Sequence, residues 1–268
     1  MANVVYENFY LSNEVEDQFE SHLDLMRFCT VDRTLEGTAG MKRMINVYTA
    51  TDGTEKLAEG EGNSKSIEVS YTQREYEIEL AQNRFVWNDE AAMKDPMLVP
   101  VGMRHAGTDM FNTVNGDVFG EFEKASLTVN ATAYNFDAFA DAVAKLELPE
   151  NEEVEVFGWV NSNAKAALRK TLKDDLKYVE AFARHGYIGT VCGVNLYDKR
   201  NAKDNEICIG TRKAVTAFIK KGTEVEQITK NVRSAEDANV RKNTAFTRKY
   251  YVVALTNETQ AVKIVKTA

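Results

Sequence analysis

SIEVSYTQREYEIELAQNRFVWND, residues 66–89, alternates apolar and polar side chains as a strand does, but in two phases. Ile67, Val69 and Tyr71 share one parity, whereas Tyr76, Ile78 and Leu80 take the other. A strand keeps one face only while its period of two is unbroken, so the shift at Gln73 to Glu75 predicts a bulge or bend. Glu68, Ser70, Glu75, Glu77 and Glu79 then point outward, which predicts a long, acidic, projecting β element rather than a strand of a compact core. Upstream, KRMINVYT (residues 42–49) predicts a strand that runs into the turn TDGT and returns as KLAEG. Asp52-Gly53 is a dipeptide that hairpin turns favour. Gly60 and Gly62 open a further loop.

Downstream, Pro96 and Pro100 mark a boundary, after which MRHAGTDMFNTVNGDVFGEFEKA places Met103, Met110, Phe111, Val114, Val118 and Phe122 on one helical face. About 25 residues give a helix of roughly 35 to 40 Å. Its Met and Phe stripe predicts core packing rather than a cofactor box. Gly107, Gly116 and Gly120 each cost up to about 1 kcal/mol against alanine and make sense where another backbone comes close. NFDAFADAVAKLE predicts an amphipathic helix with Phe136, Phe139, Ala140 and Val143 inward. VEVFGWV predicts a strand, and NSNAKAALRKTLK a helix capped by Asn161, Ser162 or Asn163. YIGTVCGVNLY and ICIG predict strands, and TRKAVTAFIKKG a helix with Thr211 at its start and Gly222 past its end. RKYYVVAL and AVKIV close the chain as strands joined across TNETQ. The βαβα alternation predicts an α/β or α+β domain.

At 268 residues, 44% hydrophobic and 28% charged, the chain has an ordinary globular balance. Its net charge of −8 is unevenly spread, with 27 acidic and 12 basic side chains in residues 1–150 and 14 and 21 in residues 151–268, balances of −15 and +7. Either the chain has two differently charged surfaces, or the acidic half of one copy lies against the basic half of another. An acidic chain without a helix-turn-helix or RNA-binding signature is a poor dedicated nucleic-acid binder. The first residues carry several carboxylates before Arg27, the first basic residue, and predict no secretory signal. No run of about 18 apolar residues predicts a membrane span. Residues 1–33 read as an arm with some helix after a Ser12 or Asn13 cap, with Val15, Phe19, His22, Leu23, Leu25 and Met26 at helical steps.

The glycines and thiol of HGYIGTVCGVNLYDKR, residues 185–200, raise two catalytic readings. Gly186, Gly189 and Gly193 have phosphate-loop spacing, but a second extended run follows them instead of a helix, and the expected lysine and hydroxyl are missing. Cys192 with His185 or His105 would make a nucleophile and base, yet Cys192 sits in a β-like run where a thiol is more often a small buried hydrophobe. Cys29, Cys192 and Cys208 are odd in number and lack metal-ligand spacing, and the Glu150–Glu155 cluster reads as a solvated loop. The expectation is a non-enzyme with no catalytic residue, metal or cofactor. A cysteine-dependent enzyme using Cys192 and His185 is the alternative within the enzyme class.

Taken in order, these elements resemble the major capsid proteins of tailed bacteriophages, the HK97-like family. The likeness is sharpest in residues 66–89 running into the long helix, in G-x-I-x-x-V-x-G-V at residues 186–194, in A-V-x-A-F-x-K at residues 214–220, and in RKYYVVAL. It implies an α+β fold with an N-terminal arm (1–33), an extended β-hairpin loop and its base (34–90), a spine helix and peripheral domain (91–134), an axial α/β domain (135–243), and terminal strands returning to the peripheral domain (244–268). The implied function is structural: hexamers and pentamers of an icosahedral phage head enclosing double-stranded DNA, assembled in the host bacterial cytoplasm. The implied partners are further copies, portal and scaffolding proteins, packaged DNA and a decoration protein, with no membrane. An encapsulin-type shell enclosing a cargo enzyme shares the fold and is the alternative. On this likeness Glu68, Glu75, Glu77 and Glu79 would lie over a neighbouring subunit. Arg169, Lys170, Arg241, Lys242, Arg248 and Lys249 would receive them or face DNA.

Overall fold

In the computed structural model, which describes residues 24–148, 153–171, 187–199, 201–228 and 239–267, the projecting element is a two-stranded ribbon. After a 3₁₀ turn (Leu25–Phe28) and strand β1 (Thr30–Asp32), β2 (Lys42–Ala50) pairs antiparallel with β3 (Val69–Glu77). Their register runs unbroken from Lys42 opposite Glu77 to Ala50 opposite Val69, so no bulge interrupts Gln73 to Glu75. Both faces of the distal ribbon are exposed, and a strand buried on neither face is free to change its apolar phase without bending. The break comes instead at Ile78, between β3 and β4 (Glu79–Asn88), where the chain leaves the ribbon and enters the body. Asp52-Gly53 does not form the expected tight hairpin, nor is KLAEG a strand. Residues 51–68 form one longer tip, in which Gly53 packs so closely on Ile67 that a Cβ would sit 2.8 Å from its Cγ1.

Two helices follow, α1 (Asp89–Lys94) and α2 (Leu98–Glu123). The 26 residues of α2 give a rod of about 39 Å. Pro100 lies inside its first turn rather than before it, where a missing N–H removes no intrahelical bond. Met103, Met110, Phe111, Val114, Val118 and Phe122 are all buried, as their spacing requires. A Cβ at Gly102 would lie 2.3 Å from the Phe85 ring, whereas among the described residues Gly116 and Gly120 have no such neighbour within 4 Å.

The remaining elements are β5 (Leu127–Ala131), α3 (Phe136–Ala144), β6 (Val156–Val160), α4 (Ser162–Thr171), β7 (Tyr187–Val191), β8 (Val194–Asp198), β9 (Glu206–Thr211), β10 (Val215–Ile228), β11 (Lys242–Leu255) and β12 (Ala261–Lys266). They complete two sheets, one ordered β1-β10-β11-β4 and one ordered β5-β12-β9-β6-β8-β7. The chain passes from the second sheet to the first at Arg212–Ala214 and returns through a short 3₁₀ turn (Glu258–Gln260). These two corners are tied together. The Ala214 carbonyl accepts from Thr256 N and Asn257 N at 3.0 Å each, and Thr211 Oγ1 donates to the buried Gln260 Oε1.

TRKAVTAFIKKG is therefore not a helix but this corner followed by β10. Val215, Ala217 and Ile219 bury one side in the core, and Phe218 buries the opposite side under the Tyr76 ring. A strand covered on both faces reads as a continuous apolar run, which periodicity does not distinguish from a helix. In α3 Ala138, Phe139 and Ala142 are buried inward and Val143 packs against the same cluster, while Phe136 and Ala140 do not join them and are exposed. Asn135 caps this helix, its Oδ1 accepting from Ala138 N at 3.1 Å, and Asn161 Oδ1 accepts from Asn163 N at the start of α4.

Among the described residues three apolar clusters hold the layers together. The largest joins the C-terminal half of α2 and the Leu25–Phe28 turn to both sheets around Phe28, Phe119, Phe122, Phe157 and Trp159. A second lies under α3 and α4 on the six-stranded sheet, and a third packs Met103 against Trp87, Val225 and Ala245. The expected strand, turn and strand over YIGTVCGVNLY is present as β7 and β8. Cys192 and Gly193 at its turn have φ of +49° and +79°, the left-handed pair that a two-residue type I′ connection demands. Gly193→Ala is expected to destabilise the subunit by about 1 kcal/mol and Cys192→Asn to be neutral or stabilising, both read from thermal melting. Equal melting of wild type and Gly193→Ala would contradict that turn.

Candidate functional site

The ribbon has an anchored face and a free-standing one. On the anchored face Tyr76 stacks on Phe218 with centroids 5.1 Å apart, and Arg74 donates to Thr256 O and pairs with Glu258. Arg43 Nε lies 3.5 Å from Asp32 Oδ2, which ties the root to β1. Lys220 Nζ reaches the carbonyls of Thr38 and Gly40 just ahead of the ribbon. The other face carries Met44, Tyr48 and Tyr71, with Val69 beside them. Tyr48 and Tyr71 touch each other at 5.9 Å yet stay 64% and 65% exposed. An isolated two-stranded ribbon has no core of its own, and contiguous exposed apolar side chains on such an element mark an interaction surface.

The expected acidic residues lie on this element. Glu75 and Glu77 flank Lys42 across the strand pair, and they raise the lysine pKa, chiefly through the Glu75 hydrogen bond. Glu68 and Glu79 are exposed, where the tip joins β3 and at the start of β4. The tip is itself ordered by Glu55, which accepts from Ser64 Oγ at 2.7 Å and Ser64 N at 2.8 Å. These bonds hold its carboxyl below its ordinary pKa.

The expected basic residues do not form one patch. Lys170 is exposed near the end of α4, and the side chain of Arg169 lies outside the described residues. Arg241 takes a left-handed φ of +49° ahead of β11, and its carbonyl accepts from Asp89 N. Lys242 opens β11 opposite Asn88. Arg248 is engaged within its own subunit: it pairs with Glu226, donates to Gln82 Oε1 at 2.6 Å and covers the Phe246 ring. Lys249 lies 5.9 Å from the Tyr251 centroid. The structure instead gathers Arg27, Arg33, Arg212 and Lys213 around β1, a grouping hidden in the sequence by about 180 intervening positions.

His185, Gly186 and the arm residues 1–23, including its expected helix, lie outside the described residues. Cys192 is half-buried, with Sγ 3.5 Å from Phe136 O, and burial together with Asp137 raises its pKa. Burial pushes Cys29 and Cys208 up to about 12. These surroundings disfavour the thiolate that a nucleophile requires. Among the described residues no group of three or more His, Cys, Asp or Glu side chains is placed to hold a metal, and no helix is long and apolar enough to cross a membrane.

A long helix laid across two sheets that exchange strands at a corner, with a β ribbon thrown outward from its root, is the HK97-like fold of tailed-phage capsid proteins. No protein-family model matches the chain. Over 96% of its length and 92% of the other's, it is 25% identical to the major capsid protein of Staphylococcus phage phiMR11. Among solved structures it resembles the subunit of the bacteriophage PhiM1 mature capsid, with a TM-score of 0.71, 11% identity and coverage of 91% of this chain and 87% of that one. It also resembles the virus-like particle of Pyrococcus furiosus, with a TM-score of 0.62, 14% identity and coverage of 95% and 97%.

Proposed function

We propose that this chain is the major capsid protein of a tailed bacteriophage, self-assembling into the hexamers and pentamers of an icosahedral head that encloses double-stranded DNA. The observation that carries the reading is the ribbon, whose apolar outer face is left exposed by its own subunit in a chain that shares sequence along its length with a phage major capsid protein. An encapsulin-type shell is not favoured, because the relative that matches in sequence along the chain is a phage major capsid protein. In this reading α2 and the four-stranded sheet make up the peripheral domain, and the six-stranded sheet with α3 and α4 the axial domain. Strand β10 then belongs to the peripheral layer and β12 to the axial one, each crossing over at a corner. Its partners in this reading are further copies of itself, portal and scaffolding proteins, packaged DNA and a decoration protein. Assembly takes place in the host bacterial cytoplasm, and the chain performs no catalysis.

Sedimentation velocity of the purified protein tests the reading. Species of megadalton size support it, and a stable 30.1 kDa monomer under all conditions overturns it. Because the ribbon and the basic second half carry opposite charge, assembly is expected to weaken with added salt before the fold does. The Debye length falls from about 10 Å at 0.1 M to about 3 Å at 1 M. Light scattering and circular dichroism across that range should separate the two transitions, whereas coincident loss would remove the electrostatic contribution.

A further inference from the structure

Thr247 on β11 and Asn83 on β4 sit directly opposite each other, so their side chains leave the same face of the four-stranded sheet with Cβ atoms about 5 Å apart. That face lies under α2. On the same side of β11, Ala245 packs with Met103 of the helix and Tyr251 donates to Asp117. Asn83 reaches the helix itself, its Nδ2 donating to Ala106 O at 2.8 Å and to Asp109 Oδ2 at 3.3 Å. Those two bonds fix the orientation of the carboxamide. Its acceptor Oδ1 and the hydroxyl of Thr247, a residue only 1% exposed, are both buried without a hydrogen-bond partner among the described residues.

We infer that one water molecule is bound at this point as a fixed part of the subunit, accepting from Thr247 Oγ1 and donating to Asn83 Oδ1. An unpaired buried oxygen bears its full desolvation cost. Two such oxygens on facing residues that do not bond each other are bridged by a single water where the gap is polar and has room for it. The helix supplies the room. Met103, Gly107 and Met110 follow at steps of four and three on the buried face of α2, so at Gly107 a hydrogen stands where a side chain would reach toward the sheet. A glycine inside a long helix is destabilising relative to alanine, and the water gives Gly107 a packing role. Asp109, which the same carboxamide already touches, offers an acceptor for the second hydrogen of the water. Val225 faces Thr247 from β10 and belongs with Ala245 to the apolar cluster around Met103 and Trp87, so that side offers the hydroxyl no partner. A hard cation fits less well, because it takes about six oxygen ligands, and the side-chain oxygens without a partner at this point among the described residues are these two. The site lies within one subunit and does not depend on assembly.

Thr247→Val, which exchanges the hydroxyl for a methyl of similar size, tests the inference by the sign of its effect. Were the hydroxyl merely unpaired, its removal would raise the melting temperature. With the bridge in place the variant strands Asn83 Oδ1, and melting is expected to fall by about 2 to 4 °C. Water-oxygen magnetic relaxation dispersion on the same folded subunits should show one long-lived water fewer in the variant. A crystal structure of the wild type, at a resolution that shows ordered water, should place that water within about 3 Å of both oxygens. This last measurement holds whether or not the variant folds. Melting at or above wild type overturns the inference, and so does an unchanged water count. A direct hydrogen bond between Thr247 and Asn83 with no density between them also overturns it. Density with oxygen distances of about 2.4 Å that a chelator removes is a bound cation and overturns it as well.

Discussion

Trp159→Ala is expected to cost the isolated subunit about 3 to 5 kcal/mol, a large share of the roughly 5 to 15 kcal/mol that holds a domain folded. Trp159 is fully buried on β6 and meets four rings, Phe28, Phe119, Phe122 and Phe157, at 4.6 to 6.0 Å. These rings come from the 3₁₀ turn, α2 and β6 itself, so one truncation opens a void where the helix meets the six-stranded sheet. Its indole Nε1 has no hydrogen-bond partner among the described residues, so its contribution comes from packing. Trp159→Phe should therefore cost much less than Trp159→Ala. Urea denaturation of unassembled subunits would measure both, and equal midpoints for the two variants would show that packing at this point does not hold the layers together.

Replacing Met44, Tyr48 and Tyr71 together by serine should have the opposite profile, with little effect on the subunit and a near-complete loss of closed particles. The three side chains are exposed, and within the subunit the change removes the Tyr48–Tyr71 ring pair, worth about 0.5 to 1.5 kcal/mol, and two long exposed hydrogen bonds, from Asn46 to Tyr48 and from Gln73 to Met44. In an intersubunit contact each would bury apolar surface worth about 1.5 to 3 kcal/mol, and every copy in a shell would forgo all three contributions. Melting temperature and particle yield, measured on the same preparation, separate these effects. A variant that assembles as wild type would remove the apolar ribbon face from the interface.

Much of this architecture is legible in the residues. The alternation after Ser66 marks the ribbon, the Met103 to Phe122 spacing marks the buried face of α2, and the glycines of YIGTVCGVNLY mark the β7–β8 turn. What misleads is burial on unexpected faces. Val215 to Ile219 are covered on both sides, by the core and by Tyr76, so an interior strand imitates a helix. The apparent phase change at Gln73 carries no bend, because neither face of the distal ribbon is packed against its own subunit. The charged sites divide in the same way. Acidic residues adjacent in sequence stay together on the ribbon, but Arg248 is neutralised by Glu226 at a distance that only the β10–β11 pairing reveals. Arg27 and Arg212 come together only because β1 lies parallel to β10. Among the described residues Gly116 and Gly120 have no close neighbour to explain their cost in a long helix.

Electron microscopy of the purified, overexpressed protein at low salt tests self-assembly most directly. Regular closed shells, with rings or tubes as incomplete forms, are the expected result. A field of small monomers under conditions in which the subunit is folded would contradict it.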